Sequence, residues 1–297
     1  MEKIAVLMGG TSNEREVSLV SGRNVAEALS SLGKYDVVSV DVTDDSLDAL
    51  PDGVSRAYIA LHGGWGENGG VQAALDALGI PYTGPGALAS KTAMDKAATK
   101  TVLETAGVPT APWALVDRAA QASPLALPVV VKPTCDGSSV GISKVTDAAD
   151  WPKALEAAFA AQANDRPVLV ETYVPGREFT VGVVDGEALP VIEIVARDGW
   201  YGYDEKYNSD ETRYPFLEND PLAAELQRLA VAAYRAVGCR GVTRVDFRVS
   251  PEGAAYVLEL NTSPGFTSHS LVPKAGMRTG LTFAGVCDRI LASARHD

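Results

Sequence analysis

The stretch Val242-Thr243-Arg244-Val245-Asp246-Phe247-Arg248-Val249-Ser250-Pro251-Glu252-Gly253-Ala254-Ala255-Tyr256-Val257-Leu258-Glu259-Leu260-Asn261-Thr262-Ser263 decides the reading of this chain. Two strand-like runs flank a cluster of turn formers, Ser250 to Ala254, and predict a β-hairpin. Side chains alternate along a strand, so Arg244 and Asp246 share one face while Val245, Phe247 and Val249 share the other. On the second run Glu259 and Asn261 share a face opposed to Leu258 and Leu260. A turn centred on Glu252 and Gly253 sets Asp246 across from Glu259 and Arg244 across from Asn261. Two carboxylates facing each other at about 5 Å repel unless a positive charge sits with them. A hard cation such as Mg²⁺, which takes oxygen ligands and completes its shell with water and phosphates, suits two carboxylates and an amide. The alternative is a solvated charged face on which Arg244 neutralises Asp246.

Before the hairpin, the helix Pro221 to Val237 carries Asp220 as N-cap, Pro221 at its first position and Gly238 past its end. Its apolar face is Leu222, Leu226, Leu229 and Ala233. Upstream, Val168 to Val174 runs into Pro175-Gly176-Arg177-Glu178, which reads as a strand leaving one unit and entering another, a place that suits a flat ligand or is simple connectivity. Lys132 ends the apolar run Val129-Val130-Val131 beside the small polar loop Cys135 to Gly141, whose backbone N–H groups can face a phosphate. That loop matches neither the P-loop nor the dinucleotide-binding glycine pattern. A helix from Lys91 to Ala106, closed by Gly107, contains Lys96, equally readable as a solvated surface lysine. The aromatic, aperiodic segment Asp198 to Asp210 suits a long functional loop.

The first 84 residues alternate short apolar runs (Ile4 to Met8, Val37 to Val40, Ala57 to Leu61) with helix-like stretches, Val71 to Leu78 among them, which predicts an α/β unit with a parallel sheet. The turn formers Ile80 to Gly86 then mark a boundary. The expected division is 1–84 as an N-terminal α/β unit, 85–174 as a central unit and 175–297 as a C-terminal unit, α+β overall. With 26 Lys plus Arg against 38 Asp plus Glu the net charge is −12, which leaves no extended basic surface for nucleic acid. Cys135, Cys239 and Cys287 form no CxxC pair and fit a reducing, cytoplasmic setting. Met1 to Met8 lacks a basic leader region and reads as a first strand. No apolar run approaches the roughly 20 residues needed to cross a bilayer, so no membrane partner is expected.

Seven segments together and in order resemble the ATP-grasp superfamily, and within it the D-alanine–D-alanine ligase family, over nearly the whole chain. They are Gly9 to Ser18, Ala60 to Gly63, Met94-Asp95-Lys96, Val131-Lys132-Pro133 with Gly137 to Gly141, Glu205-Lys206-Tyr207, Leu258 to Gly265, and Thr267 to Leu271. The resemblance implies a three-domain ATP-grasp fold whose first part is a substrate domain. It implies two D-alanines and ATP as substrates, two Mg²⁺ ions with Mn²⁺ as a substitute, an acyl phosphate formed and then captured by an amine, and a homodimer. By the same resemblance Glu14 binds the first ammonium and connects through Ser138 to Tyr207, and His62 positions the first substrate. Lys96, Lys132 and Lys206 take the nucleotide phosphates, with Ser139 beside them in the loop. Trp200 packs on adenine, Glu171 and the Val174 backbone read its edge, and Glu178 takes the ribose. Arg244 with the Gly265 N–H stabilises the oxyanion, Ser270 and Leu271 receive the second carboxylate, and Asp246, Glu259 and Asn261 are the metal ligands. Asp136, where a Glu is frequent, and Trp65, in the loop after His62, depart from the family's common forms. A D-lactate or other dipeptide ligase, a phosphotransferase and a nucleotide-binding module without chemistry stand as the competing readings.

Overall fold

The computed structural model describes residues 1–297 except 136, 138, 139, 163–165 and 197–210. The N-terminal strand β1 (Glu2–Gly9) lies between β2 (Tyr35–Val42) and β3 (Arg56–Ile59), parallel to both, as the apolar runs predict. Helix α1 (Arg15–Ser31) packs on this sheet, and the short α2 (Gly64–Glu67) and α3 (Gly70–Leu78) follow β3. Gly79 closes α3 in the left-handed conformation, φ 66°, that a glycine adopts without strain.

The single helix expected over Lys91 to Ala106 is two. Helix α4 (Ala87–Met94) ends at Asp95, whose extended backbone starts α5 (Lys96–Thr105). The Asp95 carboxylate accepts the N–H groups of Ala97 and Ala98 at 3.1 and 3.0 Å, so an N-cap interrupts the apolar periodicity and places Lys96 at a helix N-terminus. The antiparallel central sheet, ordered β4-β7-β5-β6, is built from β4 (Trp113–Val116), β5 (Val129–Lys132), β6 (Ser143–Val145) and β7 (Val168–Thr172). Helix α6 (Trp151–Ala161) covers it with Trp151, Leu155 and Phe159.

The third sheet is ordered β10-β8-β11-β12, with β9 (Glu187–Ala188) against β8 (Arg177–Val184). It contains β10 (Ile192–Ile194) and the hairpin β11 (Val242–Val249) with β12 (Ala255–Asn261). Helix α7 (Pro221–Ala236) is capped by Asp220 as expected and buries Leu226, Leu229 and Ala233 against this sheet, together with Ala89, Ala93 and Leu103 from α4 and α5. Helices α8 (Leu271–Arg278) and α9 (Phe283–Ala292) complete the chain, and Ile290 and Leu291 join the same core as Ile4, Val6 and Leu29. The C-terminal helices therefore pack on the N-terminal sheet beside the open end of the hairpin, where Val242 joins that core.

The hairpin pairs Asp246 with Glu259 and Arg244 with Asn261, as the sequence predicts, but by a different route. Next to the turn the pairs are Val249 with Ala255 and Phe247 with Val257, and a bulge between Asp246 and Phe247 shifts the register by one. Leu258 was expected to share the apolar face with Leu260. Instead Val257, fully buried, and Leu260, 4% exposed, join Val245 and Phe247 in the core, and Leu258 is the extra residue. A bulge lets both Val257 and Glu259 face the side that their chemistry requires.

Candidate active site

A cavity of about 690 Å³ opens where the hairpin, the N-terminal unit and the start of α8 meet. Glu14, His62, Lys96, Arg244, Glu259, Asn261, Gly265, Ser270 and Leu271 all line it. Lys132, Glu171, Val174, Glu178 and Asp246 are not part of its lining. Ser138, Ser139, Trp200, Lys206, Tyr207 and Asp136 lie outside the described residues.

Glu14 occupies the N-cap of α1 rather than its first turn and makes no side-chain capping bond. It lines the cavity from a position that complements the helix dipole. Gly63, with φ 64°, lets this carboxylate approach: a Cβ there would stand 2.7 Å from Glu14 Oε2. One step on, His62 is 5% exposed, its Nδ1 2.9 Å from the Ser263 carbonyl and its Nε2 3.0 Å from Ser21 Oγ. The carbonyl can only accept, so Nδ1 carries the proton and Nε2 accepts from Ser21, whose oxygen in turn accepts the Phe266 N–H at 3.0 Å. Burial holds the His62 pKa below its ordinary value, with Arg244 acting in the same direction and Glu14 and the Ser263 carbonyl opposing.

A depressed histidine pKa means that the folded chain binds fewer protons than the unfolded one, so this group makes stability rise with pH up to about 6.5 and fall as pH drops below it. His62→Gln is expected to flatten the rise of melting temperature between about pH 5 and 7. A slope equal to that of the wild type would contradict a buried neutral His62.

Glu67, the last residue of α2, was not singled out as a site residue by the sequence, yet it is buried and lines the same cavity. Burial raises its carboxyl well above the usual range, and Glu14 and Glu259 add to this while Arg244 and the Gly63 N–H oppose. Ser21 was missed as well. Its signal was present in the helical spacing of Glu14, Ser18 and Ser21, three polar residues on the face that α1 turns inward.

On the hairpin, Arg244 donates to both Asp246 oxygens at 2.9 and 2.8 Å, and Thr180 donates to Asp246 Oδ1 at 2.6 Å. Lys96 Nζ lies 3.7 Å from Glu259 Oε2. Each carboxylate thus has a cationic neighbour, so the neutralised-face arrangement is what the hairpin adopts by itself. The donors still suit a hard cation: Asp246 and Glu259, directly paired, each bring a carboxylate, and Asn261, two residues beyond Glu259 and paired with Arg244, brings an amide oxygen. No group of three His, Cys, Asp or Glu side chains is gathered for a metal among the described residues.

Ser270 is the N-cap of α8, and its Oγ accepts the Thr267 N–H at 2.8 Å rather than capping the helix. The helix N-terminus, with Ser270 and Leu271, faces the cavity and favours a carboxylate. Gly265 is tightly placed: a Cβ there would lie 2.8 Å from Ser270 Oγ.

Apart from this cavity, Glu171 is buried at 2% exposure beneath Lys132, which pairs with its Oε1, and Lys100, 2.9 Å from its Oε2. The second approach is poorly aligned and leaves Oε2 a buried acceptor without a well-formed hydrogen bond. The Val174 carbonyl accepts from Arg248 Nε at 3.2 Å, and Glu178 from Arg248 Nη1 at 3.3 Å.

A carboxylate-bearing hairpin whose sheet meets a second antiparallel sheet, behind a parallel-sheet unit, defines an ATP-grasp protein. The whole arrangement aligns with a D-alanine–D-alanine ligase from Bacillus anthracis at TM-score 0.86 and 34% identity, covering 99% of this chain and 97% of that one. A D-alanine–D-alanine ligase from Bacillus anthracis complexed with ATP aligns at TM-score 0.84 and 31% identity, with the same coverage. Family models for the D-ala D-ala ligase N-terminus and C-terminus match residues 3–49 and 102–292. The chain is 46% identical to the D-alanine–D-alanine ligase of Azoarcus sp. strain BH72, covering 99% of this chain and 97% of that protein, and 44% identical to that of Actinobacillus pleuropneumoniae serotype 5b, covering 98% and 97%. The chain belongs to the D-alanine–D-alanine ligase family.

Proposed function

We propose that the cavity beside the hairpin is where two D-alanines are joined at the expense of ATP to give D-alanyl-D-alanine for peptidoglycan precursors. The observation that carries this reading is the convergence of Glu14, Arg244, Glu259 and the α8 N-terminus on one cavity. Amide formation from a free carboxylate needs a leaving group, so the first carboxylate takes the γ-phosphoryl group and ADP departs. The amine of the second D-alanine then attacks the carbonyl carbon, loses a proton and expels phosphate.

Glu14 holds the first ammonium, and neutral His62 fixes the neighbouring backbone. Ser270 and Leu271 hold the second carboxylate at the helix N-terminus. Arg244 and the Gly265 N–H face the oxyanion, where a preorganised donor contributes roughly 3 to 4 kcal/mol. Lys96, Lys132 and Lys206 hold phosphates, with Ser139 in the adjoining loop; Glu178 holds the ribose and Trp200 stacks on adenine. Glu171 Oε2, an acceptor left without a well-formed hydrogen bond, supports recognition of the adenine edge together with the Val174 backbone. Asp246, Glu259 and Asn261 would hold two Mg²⁺ ions, or Mn²⁺, which neutralise phosphate charge and polarise the phosphoryl oxygens. The division 1–84, 85–174 and 175–297, a homodimer and a cytoplasmic setting belong to the same proposal. Among the described residues no helix is long and apolar enough to cross a membrane.

The test couples ADP release to dipeptide detection with ATP, Mg²⁺ and D-alanine. ADP without dipeptide, unaffected by a second amine, would overturn the reading in favour of a phosphotransferase. Water must be excluded from the acyl phosphate, and the connection Glu14–Ser138–Tyr207 is assigned to that closure. Tyr207→Phe is expected to raise the yield of D-alanyl-D-lactate relative to dipeptide by about tenfold, the equivalent of one hydrogen bond. An unchanged product ratio would remove Tyr207 from amine selection.

A further inference from the structure

Lys100 has no part in the roles above, yet it is 1% exposed, a charged side chain kept wholly from water. It lies one turn after Lys96 on α5. Besides its 2.9 Å contact with Glu171 Oε2, its ammonium donates to Thr110 Oγ1 at 2.6 Å and to the Ala111 carbonyl at 3.3 Å. Thr110 donates onward to the Val257 carbonyl on β12 at 2.9 Å, and the Val257 N–H returns to the Pro109 carbonyl at 2.9 Å. Of the three N–H donors of an ammonium, two are committed to Thr110 and Ala111, and the charge itself is paired with Glu171. Lys100 is therefore closed off from any ligand, although it stands between the central sheet and the hairpin.

A buried cation is retained only where its partners offset the loss of water. A structural pair needs one ammonium for one carboxylate, whereas Glu171 lies between two, and the cluster Lys100–Glu171–Lys132 keeps one net positive charge. Burial pushes the Glu171 carboxyl up, but Lys132 and Lys100 outweigh it and the net shift is downward. The same burial lowers the Lys100 ammonium, with Glu171 opposing.

We propose that Lys100 is a positioning residue for the nucleotide: it fixes Glu171 as an ionised acceptor at the adenine edge and supplies the counter-charge that leaves Lys132 available to phosphate. This rests on the reading of Glu171 and Lys132 as nucleotide-binding groups. A merely structural lysine would not select between bases. Inosine triphosphate has a carbonyl where ATP has the 6-amino group, so it offers Glu171 no donor at that position.

The experiment compares kcat/KM for ATP and for inosine triphosphate in the full chain, with folding verified by thermal melting. Lys100→Met is expected to lower the preference for ATP by about tenfold, the loss of one charge-assisted hydrogen bond, and to raise KM for ATP while leaving KM for D-alanine unchanged. Thr110→Val removes one acceptor of Lys100 without altering buried charge, and serves if the methionine variant does not fold; it is expected to shift the preference in the same direction by about threefold. Glu171→Gln separates the two layers of the argument. If it lowers the preference while folded Lys100→Met and Thr110→Val keep the wild-type ratio, the Lys100 role is overturned and the adenine reading stands. If Glu171→Gln itself leaves the ratio unchanged, the adenine reading falls and takes the Lys100 role with it.

Discussion

Replacing Glu259 by glutamine is expected to lower kcat by about a thousandfold, the equivalent of several kcal/mol of lost charge stabilisation at the phosphoryl group. The substitution keeps the shape of the side chain and removes one negative charge from the pair that faces Asp246 across β11 and β12. The fold has little to lose. The Glu259 side chain is 34% exposed, and its contact with Lys96, at 3.7 Å, is of the kind that contributes at most about 1 kcal/mol. A nearly unchanged melting temperature together with collapsed turnover, and a shift of the Mg²⁺ midpoint to higher concentration, is the expected pattern. A wild-type kcat at saturating Mg²⁺ with an unchanged midpoint would take Glu259 out of the metal site.

The hairpin was legible because its signals are local: period-two alternation, a turn cluster at Ser250 to Ala254, and charges that fall on one face. The bulge at Leu258 was not, since the choice between Val257 and Leu258 as the core residue is made by α4, α5 and α7 packing from elsewhere in the chain. The break at Asp95 had a legible cause in an aspartate able to cap a helix, but the apolar periodicity on both sides of it ran through the break. Glu67 shows the other limit. A glutamate after Gly64-Trp65-Gly66 reads as a surface residue, and only the meeting of α2 with the hairpin side of the cavity buries it beside Glu14. The same holds for the groups proposed to bind the nucleotide. Lys132 and Glu171 are 39 positions apart in sequence but adjacent through the pairing of β5 with β7, which sets Glu171 against Val130 and Lys132 against Leu169. Their separation from the main cavity follows from lying in a different sheet, which a motif list does not convey.

Arg244→Met should cost about a hundredfold to a thousandfold in kcat with a much smaller change in KM, because a donor aimed at a developing oxyanion acts mainly in the transition state. The structure adds a complication that must be separated from this loss. Arg244 now neutralises Asp246, which is 6% exposed and otherwise receives the Thr180 hydroxyl. Removing one partner of a largely buried ion pair is expected to destabilise the fold by about 3 kcal/mol, since the remaining carboxylate keeps its desolvation cost. Lost activity alone would therefore not distinguish a catalytic arginine from a structural one. The double variant Arg244→Met with Asp246→Asn removes both charges and should recover most of the melting temperature, because an amide can still accept the Thr180 hydroxyl. Its turnover should not recover, as neither the proposed oxyanion donor nor the proposed metal-binding carboxylate returns. Added guanidinium ion at low concentration supplies a further discriminator: partial rescue of the single variant Arg244→Ala, under conditions where it remains folded, requires a vacated space beside the reacting carbon. If the double variant regained both stability and activity, Arg244 would be an ion-pair partner of Asp246 and nothing more, and the oxyanion would rest on the Gly265 N–H alone.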